Sequence, residues 1–168
     1  RKWVADSIDP HETYYRSLIQ DFILLKSNTF MRFGEMRLIK WHMCEIFTHD
    51  KQRLVRINLP AHICKNRKDR TVVARGGRYL ERMRERSRYT DPDDYVFSNV
   101  EQRSVLAKTT FYKYWSQLMK ATQMSELTGK KLTYYSLRHF GITARLMAKV
   151  PHYQVAKFAG TDVRHIET

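Results

Sequence analysis

The sequence predicts a mainly α domain with a small antiparallel β-sheet set into it, an α+β arrangement. Three observations carry this reading. Apolar residues recur near helical spacing at Tyr15, Leu18, Ile19, Phe22, Ile23 and Leu25. Two β-rich runs, Leu54–Leu59 and Thr71–Ala74, flank a polar turn at Lys65–Arg70. Helical patterning then resumes, with Phe111, Trp115, Leu118 and Met119 on one face. A chain of 168 residues fits one domain and can bury a core without disulfide or metal support. Its 42% hydrophobic and 12% aromatic content is that of a folded protein rather than a disordered tail.

The elements follow in order. Asp9-Pro10-His11-Glu12 opens the first helix: Asp9 can cap, Pro10 suits the first turn, and Glu12 stands at the capping-box position. That helix runs to about Ser27, and a second is expected from Phe33 to His42 with Met36, Ile39 and Met43 facing inward. After the two strands, Gly76-Gly77 leads into a helix ending near Arg88, and Thr90–Asp94 forms a turn before the short apolar Tyr95-Val96-Phe97. A long helix is expected from Ser104 to Thr122. Further helices follow around Tyr135–Lys149, Pro151–Ala159 and from Asp162 onward, with Gly160 placed to end the middle one. There are no repeats, low-complexity segments or interdomain linkers.

Charge narrows the function. A net +14 and a pI near 10.0 point to a polyanionic partner. From Lys65 to Arg88 the cations Lys65, Arg67, Lys68, Arg70, Arg75, Arg78, Arg82, Arg84, Arg86 and Arg88 face only Asp69, Glu81 and Glu85. A stripe of this kind suits a nucleic-acid backbone and salt-dependent binding. A membrane surface is disfavoured, because no strongly apolar helix face accompanies the charge. No apolar run approaches the ~20 residues of a membrane span, and no signal peptide is visible. Cys44 and Cys64 form no C-x-x-C pair and read as reduced residues of an intracellular protein. The missing initiator Met suggests a piece of a longer protein.

Three separated patches carry the chemistry: Thr29-Phe30-Met31-Arg32-Phe33-Gly34-Glu35, Cys64-Lys65-Asn66-Arg67-Lys68-Asp69-Arg70-Thr71-Val72, and Tyr135-Ser136-Leu137-Arg138-His139. Each holds a cation suited to gripping a phosphate. Together they resemble the catalytic domain of the tyrosine recombinases, the phage-integrase family. The first patch matches the family's threonine-glycine-x-arginine-x-x-glutamate pattern with Phe30 at the glycine position. Lys65 falls at the family's β-hairpin lysine, with Lys68 as the alternative. The third patch matches the histidine-x-x-arginine box, with Tyr135 in place of the first histidine. Val155-Ala156-Lys157-Phe158-Ala159-Gly160-Thr161 resembles the segment ending in glycine-histidine, with Thr161 at the histidine position. The likeness covers roughly residues 10 to 168.

This resemblance implies a site-specific recombinase or integrase that cleaves and rejoins DNA through a 3′-phosphotyrosine, without metal or other cofactor. Arg32 and Arg138 would hold the nonbridging oxygens, since guanidinium is bidentate and permanently charged. Lys65 would protonate the leaving 5′-oxygen. Tyr135 and Thr161 complete the expected catalytic set, although a phenol is a poorer base than imidazole. Arg67, Lys68, Arg70 and His139 are expected to contact DNA. The nucleophilic tyrosine would fall near position 170, so residues 1–168 are read as one catalytic domain lacking the N-terminal DNA-clamping domain and the tyrosine segment. Double-stranded DNA is the expected partner, with no small-molecule substrate. Self-assembly on DNA is expected of the full-length protein and a monomer of the piece, in the cytoplasm of a bacterial host near the nucleoid. A noncatalytic DNA-binding relative is the alternative, motivated by Phe30, Tyr135 and Thr161. An unrelated RNA-binding protein is carried by charge alone.

Overall fold

The computed structural model describes residues 2–166. After a short α1 (Lys2–Ala5), the long α2 (Pro10–Thr29) forms the centre of the domain. The cap is as the sequence anticipates: Asp9 Oδ1 accepts from the His11 N–H at 3.1 Å. Glu12 does not complete a capping box and instead binds Arg16 at 3.0 Å. Leu18, Ile19, Phe22 and Leu25 of α2 are buried. The Phe22 ring meets those of Phe33, Phe97, Phe111 and Tyr134 at centroid distances between 4.7 and 5.6 Å.

α3 spans only Phe33–Arg37, followed by a 3-10 turn at Trp41–Met43. The single helix expected from Phe33 to His42 is therefore interrupted. Its second half pairs with a distant segment: Val96 N–H donates to Ile39 O at 3.0 Å and Trp41 N–H to Asp94 O at 3.1 Å. Tertiary pairing overrides local helical spacing here.

The sheet has three strands, not two. β1 (Cys44–His49), β2 (Gln52–Leu59) and β3 (Arg70–Arg75) lie in the order β1-β2-β3, antiparallel throughout. Cys44 pairs with Ile57, and Leu59 with Arg70. Val55, Ile57, Leu59, Val72 and Ala74 bury one face. The loop 60–69 therefore projects from one end of the β2–β3 hairpin.

α4 (Gly77–Arg86) packs beside α2, and α5 (Lys108–Thr122) begins four residues later than expected. Phe111, Tyr114 and Trp115 are the buried residues of α5, while Leu118 and Met119 are half-buried. A short α6 (Met124–Thr128) precedes α7 (Tyr134–Met147) and α8 (His152–Ala159), and a 3-10 turn follows at Val163–His165. Thr133 Oγ1 caps α7 by accepting from the Tyr135 N–H at 3.2 Å. Among the described residues no helix is long and apolar enough to cross a membrane.

Part of the basic stripe is paired within the fold while keeping surface exposure. Arg82 and Arg86 both bind Asp21, a residue 1% exposed on α2. Arg84 lies over Trp41 at 5.6 Å and Arg88 over Tyr89 at 6.0 Å. The stripe is thus partly a packing device, and Lys65, Arg67 and Lys68 are its exposed hairpin end.

Candidate anion-binding site

The C-terminal end of α8 organises the site. Gly160 takes the left-handed conformation at φ 62, and the end is closed as a Schellman motif. Thr161 N–H reaches Ala156 O at 3.1 Å, and Gly160 N–H reaches Lys157 O at 3.2 Å. Among the described residues that leaves three consecutive carbonyls without main-chain partners, and an arginine takes each. Arg70 binds Phe158 O at 3.1 Å, Arg138 binds Ala159 O at 2.8 Å, and Arg32 binds Gly160 O at 2.8 Å. The negative end of the helix dipole favours these cations. The three come from β3, from α7 and from the residue preceding α3.

Glu35 is the counterweight. It is 3% exposed. Its carboxylate accepts from Arg32 Nη1 at 3.1 Å, Arg70 Nη2 at 2.5 Å and the Arg32 N–H at 3.1 Å. It also accepts from the Lys65 N–H at 3.4 Å, tying the hairpin loop to the arginines. Buried Cys64 anchors the same loop, its Sγ lying 3.8 Å from Leu59 O, and burial raises its thiol pKa. Arg138 is 4% exposed and also donates to Phe30 O at 2.6 Å. Burial, then the nearby Arg32 and Arg70, push it down to about 10, so it stays protonated at neutral pH. Burial lowers Arg70 as well, against the pull of Glu35.

These groups open onto one cleft of about 900 Å³. Of the residues the sequence picked out, Arg32, Lys65, Lys68, Arg70, Tyr135, Arg138 and Thr161 line it. Arg67 and His139 do not line it. Arg67 stands exposed on the loop with φ 51, and the His139 ring meets Tyr135 edge-on at 4.5 Å. Tyr135 is 60% exposed, free of the buried cluster. Arg70, expected to contact DNA, is a largely buried member of the arginine group and lines the cleft.

The model of the phage integrase family matches residues 4–165. The chain belongs to that family. Among solved structures, the XerH site-specific recombinase bound to difH substrate, a pre-cleavage complex, matches with a TM-score of 0.70 and 17% identity. The match covers 99% of this chain and 45% of that one. A post-cleavage complex of XerH with palindromic difH substrate matches with the same TM-score of 0.70, identity of 17%, and coverage of 99% and 45%. This phage integrase family chain thus spans less than half the length of the solved structures it matches. No curated protein sequence matches it significantly.

Sequence reasoning missed two lining or supporting residues of this integrase-family cleft. Lys157 lines it from α8, and Lys26 lies buried behind Arg138. Lys157 is one residue of the segment already aligned to the family, so its place was within reach. Lys26 sits inside the apolar-spaced α2, where its charge was the only available signal.

Proposed function

We propose that this chain is the catalytic domain of a site-specific recombinase or integrase, acting on double-stranded DNA by cleavage and rejoining through a 3′-phosphotyrosine. The observation that carries this reading is the convergence of Arg32, Arg70 and Arg138 on one helix end with Glu35 as their buried counter-charge. An arginine group held this way has unused N–H donors and surplus positive charge facing a cleft. A phosphodiester, and still more its charge-richer transition state, fits that field.

In this reading Arg32 and Arg138 bind the nonbridging oxygens, and the main-chain tethers keep them from reorganising as charge develops. Arg70 braces Glu35 and adds to the field. Lys65, on the projecting loop, delivers a proton to the leaving 5′-oxygen, with Lys68 as the nearby substitute. Tyr135 and Thr161, which also line the cleft, hydrogen-bond phosphate oxygens. Arg67 and His139, away from the cleft wall, contact the backbone of flanking DNA. The nucleophile is the tyrosine that the family pattern puts near position 170, and the chain is one domain of a longer protein that assembles on its DNA site.

The test is covalent trapping. A protein extended through position 170 and incubated with its DNA site should yield a protein–DNA adduct stable to denaturing electrophoresis. Arg32→Ala and Arg138→Ala should not. Undiminished adducts in either variant would overturn the assignment. Tyr135 and Thr161, at positions where the family uses histidines, favour a second reading: a relative that binds duplex DNA without cutting it. Tight binding with no adduct from a tyrosine-bearing protein selects that reading.

A further inference from the structure

Behind the arginines lies a cation that the family pattern does not account for. Lys26, in the last turn of α2, is 1% exposed. Its ammonium donates to Met31 O, in the turn that delivers Arg32. Its own carbonyl accepts from the Phe30 N–H at 2.8 Å. Phe30, held at φ 41, offers its carbonyl to Arg138 at 2.6 Å. Arg138 and Lys26 therefore hold consecutive carbonyls of one short turn. α7 meets that turn so closely that a Cβ on Gly141 would stand 2.6 Å from Ser27 O and 3.0 Å from the Phe30 ring.

Lys26 faces Arg138 of α7 and Glu35 of α3, and beyond them stand Arg32 and Arg70, which bear on Arg138. Four cations thus lie around one buried carboxylate among the described residues of this cluster, and Arg32 and Arg70 pair with it directly. A guanidinium does not release its proton in a protein. A buried ammonium does so readily. Lys26 is the cation of the cluster able to change charge.

We infer that Lys26 is a positioning residue of the anion site and its concealed fourth cation, holding the Phe30–Arg32 turn and taking up a proton when a phosphodiester enters the cleft. This rests on the reading of the cleft as a phosphate site. The proton comes from solvent and returns there on release, and no bond other than the Lys26 N–H changes. Burial, and then Arg138, lower Lys26 to about 7 while Glu35 pulls the other way. An arriving phosphate reinforces Glu35 and restores the charge.

The experiment is calorimetric titration of the 168-residue chain with a short DNA duplex of arbitrary sequence, at low salt, in buffers of different ionisation enthalpy. Wild type should take up a large fraction of a proton near pH 8, and its affinity should fall by up to about tenfold per pH unit above neutrality. Lys26→Met and Lys26→Gln should bind more weakly near neutral pH, without this uptake and with a flatter pH profile. Lys26→Arg, a fixed charge, should recover affinity without the uptake. Comparison of wild type with variant isolates the contribution of Lys26 from that of other titrating groups. Wild-type uptake and slope retained in Lys26→Met or Lys26→Gln overturn the inference, as does a wild type that takes up no proton, which needs no variant to fold. Arg138→Ala separates the two readings. If it binds the duplex as tightly as wild type, the phosphate site itself is wrong. If it binds weakly while wild type takes up no proton, only the role of Lys26 is wrong.

Discussion

Arg32 and Arg138 are fastened to adjacent carbonyls, Gly160 O and Ala159 O, each at 2.8 Å. The two differ in burial, and that difference separates function from stability. Arg138 is 4% exposed and fills two carbonyls, whereas the Arg32 side chain is 26% exposed. Arg138→Ala should lower unfolding free energy by roughly 2–3 kcal/mol, because buried carbonyls lose their donors. Arg32→Ala should cost about 1 kcal/mol or less, yet reduce covalent adduct formation in the tyrosine-bearing protein by about 10²–10³. Urea denaturation beside the trapping assay measures both. Equal stability losses would show that the arginines are equivalent braces.

Glu35→Gln tests the counterweight. The carboxylate serves Arg32, Arg70 and the Lys65 main chain together. An amide of the same shape leaves the guanidinium groups without their buried partner, at a cost on the order of 3–5 kcal/mol. Chemical denaturation of the variant should show that loss. A change within experimental error would mean that the helix-end carbonyls alone suffice to hold the arginines.

The motifs of this site were legible because they consist of charged residues in fixed local spacings: Arg32 with Glu35, Lys65 in its turn, Arg138 in its box. Their meeting place was not. It depends on which carbonyls the Gly160 turn leaves unpaired, and that follows only once α8 is closed. That Arg70 is buried against Glu35 was not legible either, because a guanidinium's burial is decided by its partner across the fold. β1 went unseen for a different reason. Its turn to β2 is Asp50-Lys51, both at positive φ (47 and 61), without the Asn-Gly or Asp-Gly signal that marks such hairpins. The helix expected from Phe33 to His42 failed where its main chain pairs with residues 92–96, a long-range choice that spacing does not encode.

Gly160 and Gly141 test the close approaches. Gly160→Ala strains a residue at φ 62 and drives a Cβ into the Arg70 guanidinium. Gly141→Ala pushes α7 from the Ser27–Phe30 turn, because the new Cβ would stand 2.6 Å from Ser27 O and 3.0 Å from the Phe30 ring. Each should cost about 1–3 kcal/mol. Each should also weaken duplex binding beyond what a distant core substitution of equal ΔΔG produces, because an arginine moves. Binding that tracks stability alone, with no excess loss, would detach these glycines from the site.

Lys26 fixes the direction of the pH dependence of stability in the free protein. Its pKa falls from the ordinary 10.5 to about 7 on folding, through burial and then the nearby Arg138. Between those values the unfolded chain holds a proton that the folded chain has released, so stability rises with pH. The penalty is fully present below about 7 and lifts above it, by at most ~1.4 kcal/mol per pH unit. Cys44, Cys64 and Tyr134 work oppositely at higher pH, since burial raises each and the unfolded chain ionises them first. The clean window is therefore about pH 6.5 to 8.5, with Lys26→Met as the reference. The difference in unfolding free energy between variant and wild type should shrink as pH rises across it. A constant difference would place the charge of Lys26 outside the folding equilibrium, and with it the role of Glu35 and Arg138 in setting that charge.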